Sequence, residues 1–112
     1  MDTKLEEYRR IIKQIVLQHA ELSPSHGDIE MRPVFDEARD SYLLVDAGWD
    51  HTGRVYAALL DMRIKDGKVW IEIDGTESGI AYELLRAGVA EEDIVLGFLH
   101  PKRRELVEFE PV

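Results

Sequence analysis

The dipeptide Asp66-Gly67 lies between two stretches of alternating apolar and polar residues, and that combination restricts the fold more than any other part of the chain. Asp-Gly favours a two-residue hairpin turn, because positive φ at both central residues matches the twist of the flanking strands. Upstream, residues 54–65 set Tyr56, Ala58, Leu60, Met62 and Ile64 on one face and Asp61, Arg63 and Lys65 on the other. Downstream, Val69, Ile71 and Ile73 alternate with Trp70, Glu72 and Asp74. The turn then places Lys65 opposite Lys68, Ile64 opposite Val69, Met62 opposite Ile71 and Leu60 opposite Ile73. Arg63 meets Trp70 on the second face, a cation–π geometry. A slip of one residue would expose the whole apolar set, so the pattern predicts this register.

The remaining segments follow from their periodicity. Thr3 and Glu6 have capping-box spacing, and Leu5, Tyr8, Ile12, Ile15, Val16 and His19 recur at helical intervals, which predicts a helix from Lys4 to about Glu21. Ile29–Asp36 reads as a strand, and Pro33 confines it to an edge or a bulge. In the next strand Leu43, Val45, Ala47 and Trp49 form the core-facing alternation, and Asp50-His51-Thr52-Gly53 makes the turn that follows. Gly75 ends the strand after the hairpin. Thr76 is the expected cap of a second helix, near residues 77–87, whose stripe is Ile80, Ala81, Leu84 and Leu85 and whose stop is Gly88. Ile94, Val95 and Leu96 suit a short fifth strand or buried loop, Pro101 starts a helical turn, and residues 105–110 read as extended. The chain is therefore expected to form one domain over residues 1–112. Its class is α+β: an antiparallel four- to five-stranded meander with the N-terminal helix and a second helix packed on one face. The opposite sheet face, with Val55, Ala57, Leu59, Asp61, Arg63, Trp70, Glu72 and Asp74, is too apolar in places for an ordinary wet surface.

Composition narrows the function. The chain has 112 residues, enough for one core, and it has no cysteine, so disulfides, thiol nucleophiles and Cys-ligated zinc are excluded. The N-terminus lacks the apolar centre of a signal peptide and no apolar run approaches membrane-spanning length, so a cytoplasmic protein with no membrane contact is expected. The net charge is −9, and between Glu72 and Asp93 there are seven acids against one base, a local −6. Duplex DNA binding rests on neutralising phosphates with Lys and Arg, and this balance has the wrong sign for it. It suits a basic protein partner.

No residue constellation dictates a catalytic reaction. His19, His26, His51 and His100 show no metal-ligand spacing, and Asp50-His51 belongs to a tight turn. Glu72 and Asp74, with Asp46 and Asp61 as potential neighbours, lack the lysine of a restriction-type magnesium nuclease. Gly75-Thr76-Glu77-Ser78-Gly79 lacks the P-loop lysine and fits a helix start. The protein is expected to be no enzyme and to need no cofactor or metal ion. Trp70, opposite the Val69, Ile71 and Ile73 face, is the natural anchor of a protein interface together with Arg63, Glu72 and Asp74.

Four segments in order, GWDHTGR (Gly48–Arg54), DGKVWIEIDGTE (Asp66–Glu77), AYELLRAGV (Ala81–Val89) and EEDIVLGF (Glu91–Phe98), resemble the XisI family, named for a factor controlling excision of the fdxN element from cyanobacterial chromosomes. The C-terminus departs from the family pattern: Arg104 and Phe109 fit, but Val107 stands where a Thr is usual, and Glu110 and Pro111 follow the Phe. The resemblance implies an accessory factor in site-specific DNA excision and recombination that acts through protein partners. One such partner is a XisH-like protein related to nucleases; a second copy of the chain is another. Direct DNA contact through Arg9, Arg10 and Lys13, or through Lys102, Arg103 and Arg104, is the alternative.

Overall fold

The computed structural model describes residues 3–22 and 28–104. Helix α1 (Thr3–Leu22) precedes four consecutive strands, β1 (Asp28–Asp36), β2 (Ser41–Asp50), β3 (Gly53–Lys65) and β4 (Lys68–Asp74). Helix α2 (Ile80–Ala87), a 3-10 turn at Glu91–Asp93, β5 (Ile94–Leu96) and the helical turn α3 (Pro101–Arg104) complete the described chain. The strands form one sheet in sequence order, and β1 is an edge, as Pro33 requires. The α+β class is as the sequence predicts. One connection is not a meander step. Strand β5 pairs with β4 in parallel, Val69 beside Ile94 and Ile71 beside Leu96, because α2 carries the chain back across the sheet before β5 begins. The expectation of extended structure at 105–110 lies outside the described residues.

One core holds the layers together. The α1 stripe of Tyr8, Ile11, Ile12, Ile15 and Val16 is buried against Tyr42, Leu44, Leu60, Met62 and Val69, with Ile80 and Leu84 from α2 in the same cluster. Hydrogen bonds and ion pairs fix the helices at their ends. The Tyr8 hydroxyl donates to Asp93 at 2.7 Å and accepts the Ala90 N–H at 3.3 Å, tying the start of α1 to the turn before β5. Near the other end of α1, His19 contacts the Glu83 carboxylate of α2 at 2.8 Å. Midway, Arg9 makes a two-pronged bond to Asp40 at 2.7 and 3.0 Å, and Tyr42 donates to the same carboxylate.

The Asp66-Gly67 turn forms as expected, with φ of 55° and 74°, and Lys65–Lys68, Arg63–Trp70, Ile64–Val69 and Met62–Ile71 are paired. Beyond Met62 the expected register fails. A bulge follows, so Asp61 pairs with Ile73 and Leu60 with Asp74. Leu60 is fully buried whereas Ile73 is 41% exposed, so the two lie on opposite faces. A bulge inserts one residue and reverses the facing of everything after it. Here it rotates Asp74 toward the helices. One carboxylate oxygen of Asp74 accepts the Ile80 N–H at 2.9 Å, and the other accepts the Thr76 N–H and hydroxyl at 3.0 and 2.6 Å. Helix α2 therefore starts at Ile80, later than the predicted 77, and its first N–H is satisfied by Asp74 instead of Thr76. Gly88 ends it in the left-handed conformation, as predicted.

A second bulge, with Leu44 opposite Leu60 but Val45 opposite Ala58, makes Leu59 the extra residue of β3. It corrects the phase of two strands. Tyr42 and Leu44 face the core, whereas Leu43, Val45, Ala47 and Trp49 face away, and Trp49 is 58% exposed. In SYLLVDAGW both alternation phases contain large apolar residues, so periodicity alone does not choose between them. The same bulge parts Tyr56 and Ala58 from Leu60, Met62 and Ile64.

Because Asp74 supplies the α2 cap, Asp74→Ala should lower stability by about 1–2 kcal/mol, and Thr76→Ala by less. Leu84→Ala, at a fully buried site, should cost about 2–5 kcal/mol. Urea denaturation midpoints check all three, and a Thr76→Ala loss exceeding that of Asp74→Ala would reassign the cap.

Candidate functional site

With α1 and α2 on one side, the other side of the sheet is open among the described residues except where the α3 turn brings Arg104 to Trp70. Two clusters of aromatic and cationic side chains occupy its ends. The first surrounds Trp70. Its indole N–H donates to the Lys65 carbonyl at 3.1 Å, and Arg63, Lys65 and Arg104 lie 5.7, 5.3 and 5.2 Å from its ring centroid. Arg104 is held there by bonds from its guanidinium to the carbonyls of Leu96 and Gly97 at 2.9 and 3.3 Å. Arg63 pairs with Glu72 at 3.1 Å. Beside this cluster a shallow cavity of about 470 Å³ is lined by Ile94, Val95 and Leu96 and rimmed by Lys68, Arg104, Glu91 and Glu92.

The second cluster is at the far end, where β2 and β3 meet in their turn. The Arg54 guanidinium lies 5.6 Å from the Trp49 ring centroid and 5.4 Å from that of Tyr56, and it donates to the Gly48 carbonyl at 3.2 Å. A glycine is needed at 48 because a Cβ there would stand 1.8 Å from the Asp28 carbonyl oxygen. Asp50 closes the turn by accepting the Thr52 N–H at 2.8 Å, which is a structural use of the Asp50-His51 pair.

Of the four interface residues expected from sequence, Arg63, Trp70 and Glu72 share the open face. Asp74 does not join them, because the β4 bulge turns it to the α2 cap. Trp70 is flanked by the cations Arg63, Lys65 and Arg104, with Glu72 paired to Arg63 and Glu91 and Glu92 on the rim of the adjoining cavity. The carboxylates weighed as a nuclease set are also separated. Glu72 and Asp61 face the open side. Asp46 pairs with Met31 and Ala57 on the helix side, and one of its carboxylate oxygens is buried with no hydrogen-bond partner among the described residues. Burial pushes the Asp46 carboxyl up, and burial followed by the Glu72 charge does the same for Asp61, opposed by Arg63. Among the described residues no three His, Cys, Asp or Glu side chains converge to hold a metal ion, and no helix is long and apolar enough to cross a membrane.

Four residues of the DNA-binding alternative have other partners. Arg9 is bound to Asp40, Arg10 to Glu7, and Lys13 to Glu37 at 2.5 Å. Arg104 is committed to backbone carbonyls and Trp70, while Arg103 is exposed. Sequence reasoning missed the Trp49–Arg54–Tyr56 cluster. Its signal was present in the GWDHTGRVY segment, where a two-residue turn at His51-Thr52 sets Trp49 opposite Arg54.

The sequence model of a family described as XisI protein matches residues 1–110. The chain belongs to the XisI family. Two solved structures are similar to this XisI-family chain. One, the fdxN element excision controlling factor XisI from Anabaena variabilis ATCC 29413, is 42% identical, with a TM-score of 0.78 over 90% of this chain and 98% of that one. The other, a XisI-like protein from the same organism, is 31% identical, with a TM-score of 0.87 over 96% and 99% of the two chains. No curated protein matches.

The carboxylates predict opposite pH effects on stability. The Arg9 hydrogen bonds hold Asp40 below its ordinary 3.8, so its contribution is full above 3.8 and is lost as pH falls through the lowered value. Asp46 is raised, so its ionisation opposes folding above 3.8. Asp46→Asn should therefore be no less stable than wild type at pH 7, with any gain vanishing as pH approaches 3.8. Thermal melts across pH measure this, and a destabilised Asp46→Asn at neutral pH would show that the charge is compensated.

Proposed function

We propose that this chain is a non-enzymatic accessory factor in the site-specific excision of a DNA element, working in the cytoplasm through a protein partner. Support for the excision setting comes from its XisI family membership and its 42% identity to a protein named as an fdxN element excision controlling factor. The observation that carries the protein-mediated part is the pairing of the α1 cations. Arg9, Arg10 and Lys13 are each bound to a carboxylate, so the helix offers phosphates no cationic stripe. The Trp70 end of the open face has the makings of a protein contact: an aromatic held in place by Arg63 and Arg104, beside an apolar floor with Glu91 and Glu92 on its rim. The partner in this reading is a nuclease-related protein of the XisH type, with basic groups meeting Glu91 and Glu92 and acidic or aromatic groups meeting the cations around Trp70.

The test is a titration of a purified XisH-like protein at two salt concentrations. Trp70→Ala should weaken binding at least about tenfold without unfolding the domain, and Glu91→Lys with Glu92→Lys should slow association. Unchanged affinity for both variants would remove this site from the interface. Duplex DNA binding by the isolated chain that falls steeply with salt and disappears in Arg9→Ala/Arg10→Ala would favour the DNA-binding alternative.

A further inference from the structure

We propose that the Trp49–Arg54–Tyr56 end of the open sheet face binds the same surface of a second copy of this chain. Trp49 is 58% and Tyr56 62% exposed, unusual for two large aromatics side by side on one face. Arg54 lies against both rings and donates to the Gly48 carbonyl, so part of the side-chain ordering that association requires is already in place.

The arrangement is self-complementary. Across β2 and β3 the paired residues of this face are Trp49 with Arg54, Ala47 with Tyr56 and Val45 with Ala58, each a large side chain beside a smaller one or a ring beside a cation. A two-fold axis parallel to the strands and between β2 and β3 exchanges the members of every pair. With sheets stacked about 10 Å apart, Tyr56 then lies over the second copy's Ala47, Trp49 over its Arg54 and Val45 over its Ala58. Each copy supplies both halves of each contact, as an isologous interface requires.

Charge selects the occupant. The chain carries −9, so two copies repel over most of their surfaces. On this part of the face Asp28 and Glu30 of β1 are balanced by Arg32 and Arg54. A locally neutral surface lets two identical acidic chains approach. It offers a basic partner no attractive field and a nucleic acid only two cations. This site is separate from the Trp70 cluster, and its occupancy does not depend on the identity of the excision partner.

Sedimentation of the free chain over about 1–100 µM, the range in which modest interfaces associate, tests the proposal. A monomer–dimer equilibrium is expected. Tyr56→Asp and Trp49→Ala should each raise the dissociation constant at least about tenfold while leaving circular dichroism unchanged, and Trp70→Ala should not alter it. Because the chain has no cysteine, Ala47→Cys introduces a single thiol, and a bismaleimide of about 10 Å span should link two copies. A wild-type chain that stays monomeric throughout overturns the proposal, as does a dimer indifferent to Tyr56→Asp or lost in Trp70→Ala. Single-stranded DNA binding that vanishes in Arg54→Ala would assign the aromatic pair to stacked bases instead.

Discussion

Everything in this molecule is arranged around the packing of one helix stripe on one sheet face. Ile11, Ile12, Ile15 and Val16 of α1 cover Tyr42, Leu44, Leu60 and Met62, and α2 extends the cover with Ile80 and Leu84. Fully burying a side chain of this size contributes about 1.5–3 kcal/mol, so this layer is the main favourable term available to a chain of 112 residues. With α1 and α2 on one side, the other side of the sheet has little cover among the described residues. The open face is a by-product of the core, and its two aromatic clusters follow from where the strands can place large residues that the core does not take.

The two bulges convert this simple layer into a specific surface. Without the extra residue at Leu59, Tyr56 and Ala58 would share the face of Leu60 and Met62. Without the bulge in β4, Asp74 would sit beside Glu72, and the start of α2 would lose the carboxylate that accepts the Ile80 N–H. Each bulge sacrifices regular pairing at one point and re-aims the side chains beyond it.

The elements were legible in the sequence where one signal dominated. The helical stripe of α1, the Asp66-Gly67 turn, the edge placement of Pro33 and the stop at Gly88 each rest on local chemistry with a single good solution. The facing of residues 43–49 was not legible, because Tyr42 and Leu44 are as apolar as Leu43 and Val45 and only the packing of α1 separates them. The bulges were also hidden. The alternation of Leu60 and Ile73 is consistent with a flat ladder, and the reason to break it is a cap several residues later. Of the site residues, Arg63, Trp70 and Glu72 came together because the hairpin turn fixes them. Asp74 did not, because its acid is worth more at a helix N-terminus than on a wet strand.

The two borders of the sheet have a consequence of their own. Strand β1 carries a proline midway along its outer rim, with Glu30 and Arg32 close before it, and β5 is only three residues long. Short, charged or proline-interrupted rims are poor templates for an incoming strand. Among the described residues both rims therefore disfavour lateral growth by added strands. A molecule that recognises this domain is then read mainly by side chains and not by backbone pairing.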